Sequence, residues 1–156
     1  MRTELEVQRA TTLASVPIDD QFQLWVDAAL AGKSNQFSLS IRILDEDEAQ
    51  RFNRDYRNKD YATNVLSFPA ELPEGLPAEI TQSQIGDLLI CAPVVVHEAA
   101  EQRRSETDHW AHLTVHGVLH LLGYDHEHED EAGVMESLET EILAGLGIAD
   151  PYLDVA

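Results

Sequence analysis

The stretch V-H-G-V-L-H-L-L-G-Y-D-H at residues 115–126 decides the fold. Its apolar side chains share one face of a helix predicted over residues 108–122, and this face is too apolar for solvent. The face consists of Val115, Val118, Leu119, Leu121 and Leu122. Gly123 is predicted to end the helix, because glycine readily adopts the left-handed conformation of a helix C-terminus. The helix should therefore lie at the centre of the domain, packed on a sheet.

The same stretch carries three histidines at a spacing that suits a metal ion. His116 and His120 are four positions apart, so both imidazoles lie on one helix face and can reach one ion. The turn after Gly123 can bring His126 to the same ion. Three histidine nitrogens at roughly 2.0–2.1 Å leave the fourth position of zinc open, as in catalytic sites. We therefore predict one zinc ion held by these histidines, although other divalent transition metals also suit them.

The spacing H-x-x-x-H-x-x-G-x-x-H is also that of the metzincin metalloproteases. Those enzymes carry glutamate directly after the first histidine as the general base, whereas this chain has Gly117, which cannot transfer a proton. A zincin-like metallopeptidase is therefore the less favoured alternative.

Strands interleaved with helices are predicted along the rest of the chain. Strands are predicted over residues 4–9, 37–43, 65–68 and 85–91, and further helices over residues 19–31, from Asp45 to about Tyr56, from Pro93 onward, and over about 129–146. Asp45 and Glu48 suggest a capping box at the second helix. The Pro- and Glu-rich loop at 69–83 exceeds about 12 residues, which predicts a functional or mobile segment. The expected fold is α/β (α+β): one layered domain over residues 1–156, with a mixed sheet of about four strands packed by helices and a zincin-like metal helix.

The charge of the chain is strongly negative but unevenly distributed. A net charge of −19 argues at first against a nucleic-acid partner, because affinity for phosphates comes largely from Lys and Arg. Four of the ten basic residues nevertheless fall within nine positions: Arg51, Arg54, Arg57 and Lys59. This patch could bind one or two phosphates, or the arginines could only balance neighbouring acids such as Asp55 and Asp60.

The N-terminus lacks the apolar core of a secretory signal, and no apolar stretch is long enough for a membrane span, which predicts a cytoplasmic protein. The single cysteine, Cys91, lies in the apolar run D-L-L-I-C and is predicted to be a buried structural thiol.

Three blocks of sequence resemble one known family. H-W-A-H-L-T-V-H-G-V-L-H-L-L-G-Y-D-H at 109–126, followed by M-E-S-L-E-T-E-I at 135–142, closely resembles the bacterial YbeY family of metal-dependent endoribonucleases. The segments N-R-D-Y-R-N-K-D-Y-A-T-N-V-L-S-F-P at 53–69 and I-G-D-L-L-I-C at 85–91 resemble its other signature segments, in the expected order. One departure is Ala62, where the family pattern has proline.

The resemblance implies a single-strand-specific endoribonuclease that hydrolyses RNA phosphodiester bonds with metal-activated water. It further implies a role in ribosomal RNA processing, including 3′ end maturation of the small-subunit RNA, and in ribosome quality control. The implied partners are single-stranded RNA and the ribosome or its small subunit, with neither DNA nor a membrane expected. A metal-stabilised ribosome-assembly factor without turnover is a further alternative.

The resemblance also implies roles for single residues. Arg57 matches the functionally important arginine of the family's Y-R-x-K-D segment, and its guanidinium can bind two phosphate oxygens at once. Lys59, Asn64 and Ser67 are candidate substrate contacts, although Asn64 and Ser67 could equally cap a turn and a strand.

Four other residues near the metal helix can act through hydrogen bonds. Asp125 or Glu139 could orient a ligating imidazole from behind, since such histidines usually donate their second N–H to a carboxylate. His109 and His112 are expected to form core or interhelix hydrogen bonds rather than to bind metal.

Overall fold

The computed structural model describes residues 3–32, 37–70, 75–76, 84–124 and 129–152. Strands and helices follow one another along them in the order that the sequence predicts, each within two residues of its expected ends. In chain order they are β1 (Glu4–Ala10), α1 (Asp19–Ala29), β2 (Ser38–Leu44), α2 (Glu46–Arg57), β3 (Val65–Pro69), β4 (Gln84–Cys91), α3 (Ala92–Glu101), α4 (Glu106–Leu121) and α5 (Glu129–Gly145).

The four strands form one mixed sheet in the order β1-β2-β4-β3. The first three strands of that order run parallel, and β3 pairs antiparallel with β4. Successive side chains of a strand point to opposite faces, so β4 contributes to two separate cores. Leu88 and Ile90 belong to the main core, whereas Leu89 and Cys91 join Ala49 of α2 on the other face. The predicted mixed α/β fold and the buried position of Cys91 are thereby confirmed.

Helix α4 lies at the centre, as its apolar pattern predicts. Its residues from Leu113 to Val115 and from Gly117 to Leu119 are all buried, so the helix is enclosed on most sides. Ser105 caps its first turn by accepting a hydrogen bond from the backbone N–H of Asp108 at 3.1 Å. At the other end Gly123 has φ +101°, and the N–H of Tyr124 donates to the carbonyl of Leu119. This Schellman ending confirms the stop predicted at Gly123.

The capping box predicted for α2 does not form. Asp45 does precede the helix, but its carboxylate accepts hydrogen bonds from Thr11 and Thr12, and Glu48 pairs with Arg42 at 2.8 Å. These partners lie on β2 and on the segment that follows β1, so tertiary contacts have replaced the local hydrogen bonds. Asp19 or Asp20 is the start that the sequence predicts for α1, and the helix begins at Asp19, directly after Ile18. Most of the loop at 69–83, with its predicted functional or mobile role, lies outside the described residues. Within the described residues, no helix is both long and apolar enough to span a membrane.

Candidate metal centre and adjoining cleft

Helix α4 presents two of the three predicted ligands to a cleft. The rings of His116 and His120 are half-buried with their centroids 4.8 Å apart, as expected for positions four apart on a helix. Both histidines line a cleft of about 510 Å³ whose other walls are β3, the segment after α2, and the end of α2. The third predicted ligand, His126, lies outside the described residues, as does Asp125.

A buried carboxylate on α5 lies behind His116. Glu139 is 0% exposed, and its Oε1 is 2.5 Å from Nδ1 of His116, while its Oε2 is 3.1 Å from Nε2 of His112. Burial opposes ionisation of this carboxyl, but the hydrogen bonds from His112 and His116 outweigh it and lower the pKa to about 2. Glu139 is therefore an anion that fixes the orientation of two imidazole rings.

A tyrosine near the end of the described chain completes the surroundings of Glu139. The hydroxyl of Tyr152 donates a hydrogen bond to Oε2 of Glu139. Burial and the neighbouring Glu139 raise the pKa of this phenol, which therefore remains a donor. The pKa of His112 is lowered, chiefly by burial, so its ring is neutral and Nε2–H donates to Glu139. His112 thus forms the interhelix hydrogen bond predicted for it.

The donor set fits a divalent transition metal. Because Nδ1 of His116 faces Glu139, Nε2 is the nitrogen that would bind a metal, which is the usual carboxylate–histidine–metal arrangement. A second donor set shares this histidine: ligand atoms of His112, His116 and Glu139 lie within 4.8 Å of one another. The contacts of 2.5 and 3.1 Å within that set are hydrogen-bond distances. We therefore interpret Glu139 as a group that orients a metal-binding histidine and does not itself bind the metal.

Gly117, next to the first histidine, faces the sheet. A Cβ atom at this position would lie 2.8 Å from Cδ2 of Leu88 and 3.4 Å from Cγ2 of Val65. Real Cβ atoms do not come so close to a neighbour, and Leu88 is itself fully buried. The glutamate that metzincins carry at this position has no room here.

Arg57, the last residue of α2, is held at the rim of the cleft by backbone and aromatic contacts. Its guanidinium donates to the carbonyl of Ser67 at 2.9 Å and lies 5.1 Å from the centre of the Phe68 ring. Asn58 follows in the left-handed conformation, at φ 58°, and so turns the chain after the helix. A guanidinium has five N–H donors, so Arg57 retains donors for a further anion.

The three other predicted substrate contacts also line the cleft, but two already have partners. Asn64 donates through Nδ2 to Glu98 at 3.0 Å and accepts from the N–H of Val65 at 2.7 Å. Ser67 donates to the carbonyl of Gly117 at 3.2 Å. Asn64 and Ser67 therefore hold β3 against its neighbours, and their contact with substrate stays a prediction.

The charge of the cleft is opposite to that of the whole chain. Among the described residues, no Asp or Glu lines the cleft, although the sequence has 29 acidic residues. Within the same residues, neither Arg57 nor Lys59 forms an ion pair with a carboxylate. Arg54, by contrast, pairs with the adjacent Asp55 at 3.2 Å, as the alternative interpretation of the basic patch expects. Two cations are thus left to attract an anion into the cleft.

Sequence reasoning did not foresee the hydrogen-bonding roles of two residues. Tyr152 lies far along the chain from its partner Glu139, and no local pattern links them. Glu98 accepts from the buried His109 at 2.9 Å as well as from Asn64, which joins α3, α4 and β3. The interhelix role expected for His109 is confirmed, but its spacing on α4 could not identify the partner.

Two neighbouring histidines on one face of a buried helix, supported by a buried carboxylate and lining a cleft, are typical of metal-dependent hydrolases. Comparison with known proteins identifies the family within this class. The family model described as Endoribonuclease YbeY matches residues 5–147, which is most of the chain. The chain therefore belongs to the YbeY endoribonuclease family, whose members are metal-dependent.

Individual relatives agree with this membership. The chain is 57% identical over 152 residues to Endoribonuclease YbeY of Xanthomonas axonopodis pv. citri, covering 97% of this chain and 94% of the relative. It is 56% identical, with the same coverage, to Endoribonuclease YbeY of Stenotrophomonas maltophilia. The solution structure of TM1509 from Thermotoga maritima matches with a TM-score of 0.56 over 94% of this chain and 99% of that one. Because that match has 19% sequence identity, it supports the fold alone.

Proposed function

We propose that this chain is a metal-dependent endoribonuclease that cuts single-stranded RNA in the cleft beside α4. Its substrates are precursors of ribosomal RNA, including the 3′ end of the small-subunit RNA, and it acts in ribosome quality control at the ribosome or its small subunit. We assign it to the cytoplasm and treat residues 1–156 as one catalytic domain. Family membership supports the activity, and the basic cleft next to the histidines, which no carboxylate of the described residues lines, supports an anionic substrate.

His116, His120 and His126 would hold the ion, and zinc is the metal we propose. When bound, the ion would lower the pKa of a water molecule and offset charge on a phosphoryl oxygen. Glu139 keeps the His116 ring in one orientation, so the ligand nitrogen is positioned before any substrate arrives. Because helix α4 is buried, it also holds the ligand nitrogens in position before substrate binds.

Arg57 is the residue that we assign to the negative charge of the reacting phosphate. Its guanidinium is permanently protonated and its position is fixed by Ser67 and Phe68, so it does not need to reorganise as charge develops. Lys59 adds a second positive charge to the same cleft. Asn64 and Ser67 would contact substrate only through donors and acceptors that are not used in their hydrogen bonds to the protein.

The peptidase alternative lacks support. The contact of residue 117 with Leu88 excludes the side chain that a zincin uses as its base. A non-catalytic assembly factor also lacks support, because the matching family and relatives are described as endoribonucleases.

The direct test compares RNA cleavage by the wild type and by His116→Ala, with the metal content of each measured. The wild type should cut a single-stranded RNA and contain about one equivalent of metal, and the variant should lose both properties. Equal cleavage by the two proteins would reject the catalytic assignment, because a contaminating host nuclease would then account for the activity.

A further inference from the structure

Tyr61 has an exposed ring on the wall of the cleft. Its side chain lines the same cleft as His116 and His120, and the residue is 53% exposed. Among the described residues, the ring packs against no other aromatic ring and the hydroxyl forms no hydrogen bond. A tyrosine with open ring faces beside a reactive centre is a surface suited to a flat ligand.

The other exposed ring nearby is already engaged. Tyr56 stacks on Phe52 with the ring centres 5.9 Å apart and the planes at 19°, and it meets the edge of Phe68 at 5.4 Å. Tyr56 also does not line the cleft. Among the described residues, Tyr61 is therefore the one Phe, Tyr or Trp ring that lines the cleft.

The backbone that carries Tyr61 is held in place on both sides. Nδ2 of Asn53, a residue only 2% exposed, donates to the carbonyl of Tyr61 at 2.9 Å. The backbone carbonyl of Asn53 accepts from the N–H of Lys59 at 3.3 Å, and Gln50 donates to the Asp60 carboxylate at 2.9 Å. The segment from Lys59 to Tyr61 is thereby attached to α2, so little backbone order would have to be gained when a ligand binds.

The surroundings of Tyr61 identify the class of ligand. Lys59 and Arg57 supply positive charge two and four positions before it, and no carboxylate among the described residues lines the cleft. A ligand that offers both a flat apolar face and a phosphate is a nucleotide. In a duplex both faces of a base are covered by its neighbours, so only an unpaired base can stack on a protein ring.

We infer that the ring of Tyr61 stacks against one unpaired base of the RNA that enters the cleft, an inference that rests on the proposed function. The contact tolerates any of the four bases, because every base has a π face. It favours single strands over duplexes without reading sequence. Tyr61 thus determines which RNA conformation is bound, while Arg57 and the histidines act at the phosphate.

The experiment measures KM and kcat for cleavage of a single-stranded oligoribonucleotide by the wild type, Tyr61→Ala and Tyr61→Phe. Loss of one stacked base should raise KM about tenfold in Tyr61→Ala with kcat nearly unchanged. Tyr61→Phe keeps the ring and should match the wild type. Leu24→Ala removes an exposed apolar side chain on α1, away from the cleft, and should also match it.

A set of RNAs, each with a single abasic position, identifies the base. At the position that stacks, the abasic RNA should raise KM for the wild type and leave Tyr61→Ala unaffected, so the two proteins become equal. A wild-type KM in Tyr61→Ala would overturn the inference. So would a raised KM in Tyr61→Phe, or a defect in Tyr61→Ala that persists at every abasic position.

Binding measurements separate this inference from the proposed function. The anisotropy of a labelled single-stranded RNA gives Kd for each protein whether or not cleavage occurs. If the wild type binds RNA but does not cut it, the proposed function fails, and a roughly tenfold weaker Kd of Tyr61→Ala would still support stacking. If the wild type cuts RNA and Tyr61→Ala binds it equally well, the stacking inference alone fails. Equal melting temperatures would exclude a folding defect.

Discussion

A Cβ atom added to Gly117 would lie 2.8 Å from Cδ2 of Leu88, so the metal helix rests on the sheet at the residue next to its first histidine. Leu88 is fully buried and its other methyl group would be 3.1 Å away, so the side chain has little room to move. Helix α4 therefore lies closer to β4 than a side chain at position 117 would allow. This contact also fixes the depth of His116 in the cleft.

Gly117→Ala should destabilise the fold. Overpacking of a buried site costs about 1–3 kcal/mol, and the better helix propensity of alanine returns about 1 kcal/mol, so the free energy of unfolding should fall by up to about 2 kcal/mol. Gly133→Ala in α5 is the matched control, because its Cβ would meet nothing within 4 Å. Urea denaturation measures both. A Gly117→Ala variant as stable as Gly133→Ala would contradict the close packing.

Arg57→Ala should lower kcat for RNA cleavage by about 100-fold, because it removes a charge that stabilises the transition state. Metal content and melting temperature should stay near the wild-type values, since the side chain is exposed. Arg57→Lys should restore only part of the rate, because an ammonium cannot bind two phosphate oxygens in a fixed plane. Arg54→Ala, from the same helix but outside the cleft lining, should cut RNA normally.

The two donor sets that share His116 make opposite predictions for metal content. If the ion lies in the cleft, His120→Ala should lose bound metal, whereas His112→Ala should keep it with reduced affinity. Metal analysis of the purified variants after dialysis against a weak chelator measures this. Retention by His120→Ala together with loss by His112→Ala would instead place the ion beside Glu139.

Glu139→Gln should weaken metal binding by about 10- to 100-fold, the usual effect of changing a group that orients a ligating histidine. The substitution keeps the size of the side chain but removes the charge that accepts from His112 and His116. Competition with a chelator of known affinity gives the dissociation constant. Glu136→Gln, an exposed residue on the same helix, is the control and should bind metal like the wild type. Identical affinities of the two variants would argue against a supporting role for Glu139.

Glu98 should make the fold less stable in acid. Burial alone would raise the pKa of this carboxyl, but hydrogen bonds from His109 and Asn64 outweigh it and hold the pKa below its ordinary value of 4.5. The folded protein therefore binds fewer protons at this carboxyl than the unfolded chain. The resulting stabilisation is fully present above about pH 4.5 and is lost as the pH falls below it.

Glu98→Gln tests this sign. At neutral pH the variant should be about 1–2 kcal/mol less stable than the wild type, because a charged acceptor is lost. Below pH 4.5 the difference should shrink, since the wild-type carboxyl becomes protonated. Melting temperatures recorded from about pH 3 to about pH 7 would measure the trend, because this range spans the titration of the carboxyl. A difference that stays constant with pH would show that Glu98 is not ionised in the fold.

The sequence predicted the elements because their signals are local. The alternation of Leu39, Ile41 and Ile43 identified a half-buried strand, and the apolar face of α4 identified a central helix. The sequence also indicated Glu139 as one of two carboxylates that could orient a metal-binding histidine. The capping box failed because Thr11, distant along the chain, and Arg42, on the neighbouring strand β2, compete for its carboxylates.

Long-range contacts account for what the sequence could not predict. The hydroxyl of Tyr152 reaches Glu139 only because the chain after α5 returns towards α4, and neither residue carries a signal for this. The clash at residue 117 likewise depends on which strand lies beneath the helix. The ligand set of three histidines stays a prediction from spacing, since His126 lies outside the described residues.

Among the residues that the structure describes, no carboxylate lines the cleft, and this has a consequence for how the enzyme meets its substrate. Beyond about 8 Å, the Debye length at physiological ionic strength, RNA experiences mainly the repulsion of a body with 19 excess negative charges. Attraction by Arg57 and Lys59 acts only at close range. Long transcripts should thus not accumulate on the surface, and encounters should be productive mainly where another partner delivers a flexible strand directly into the opening.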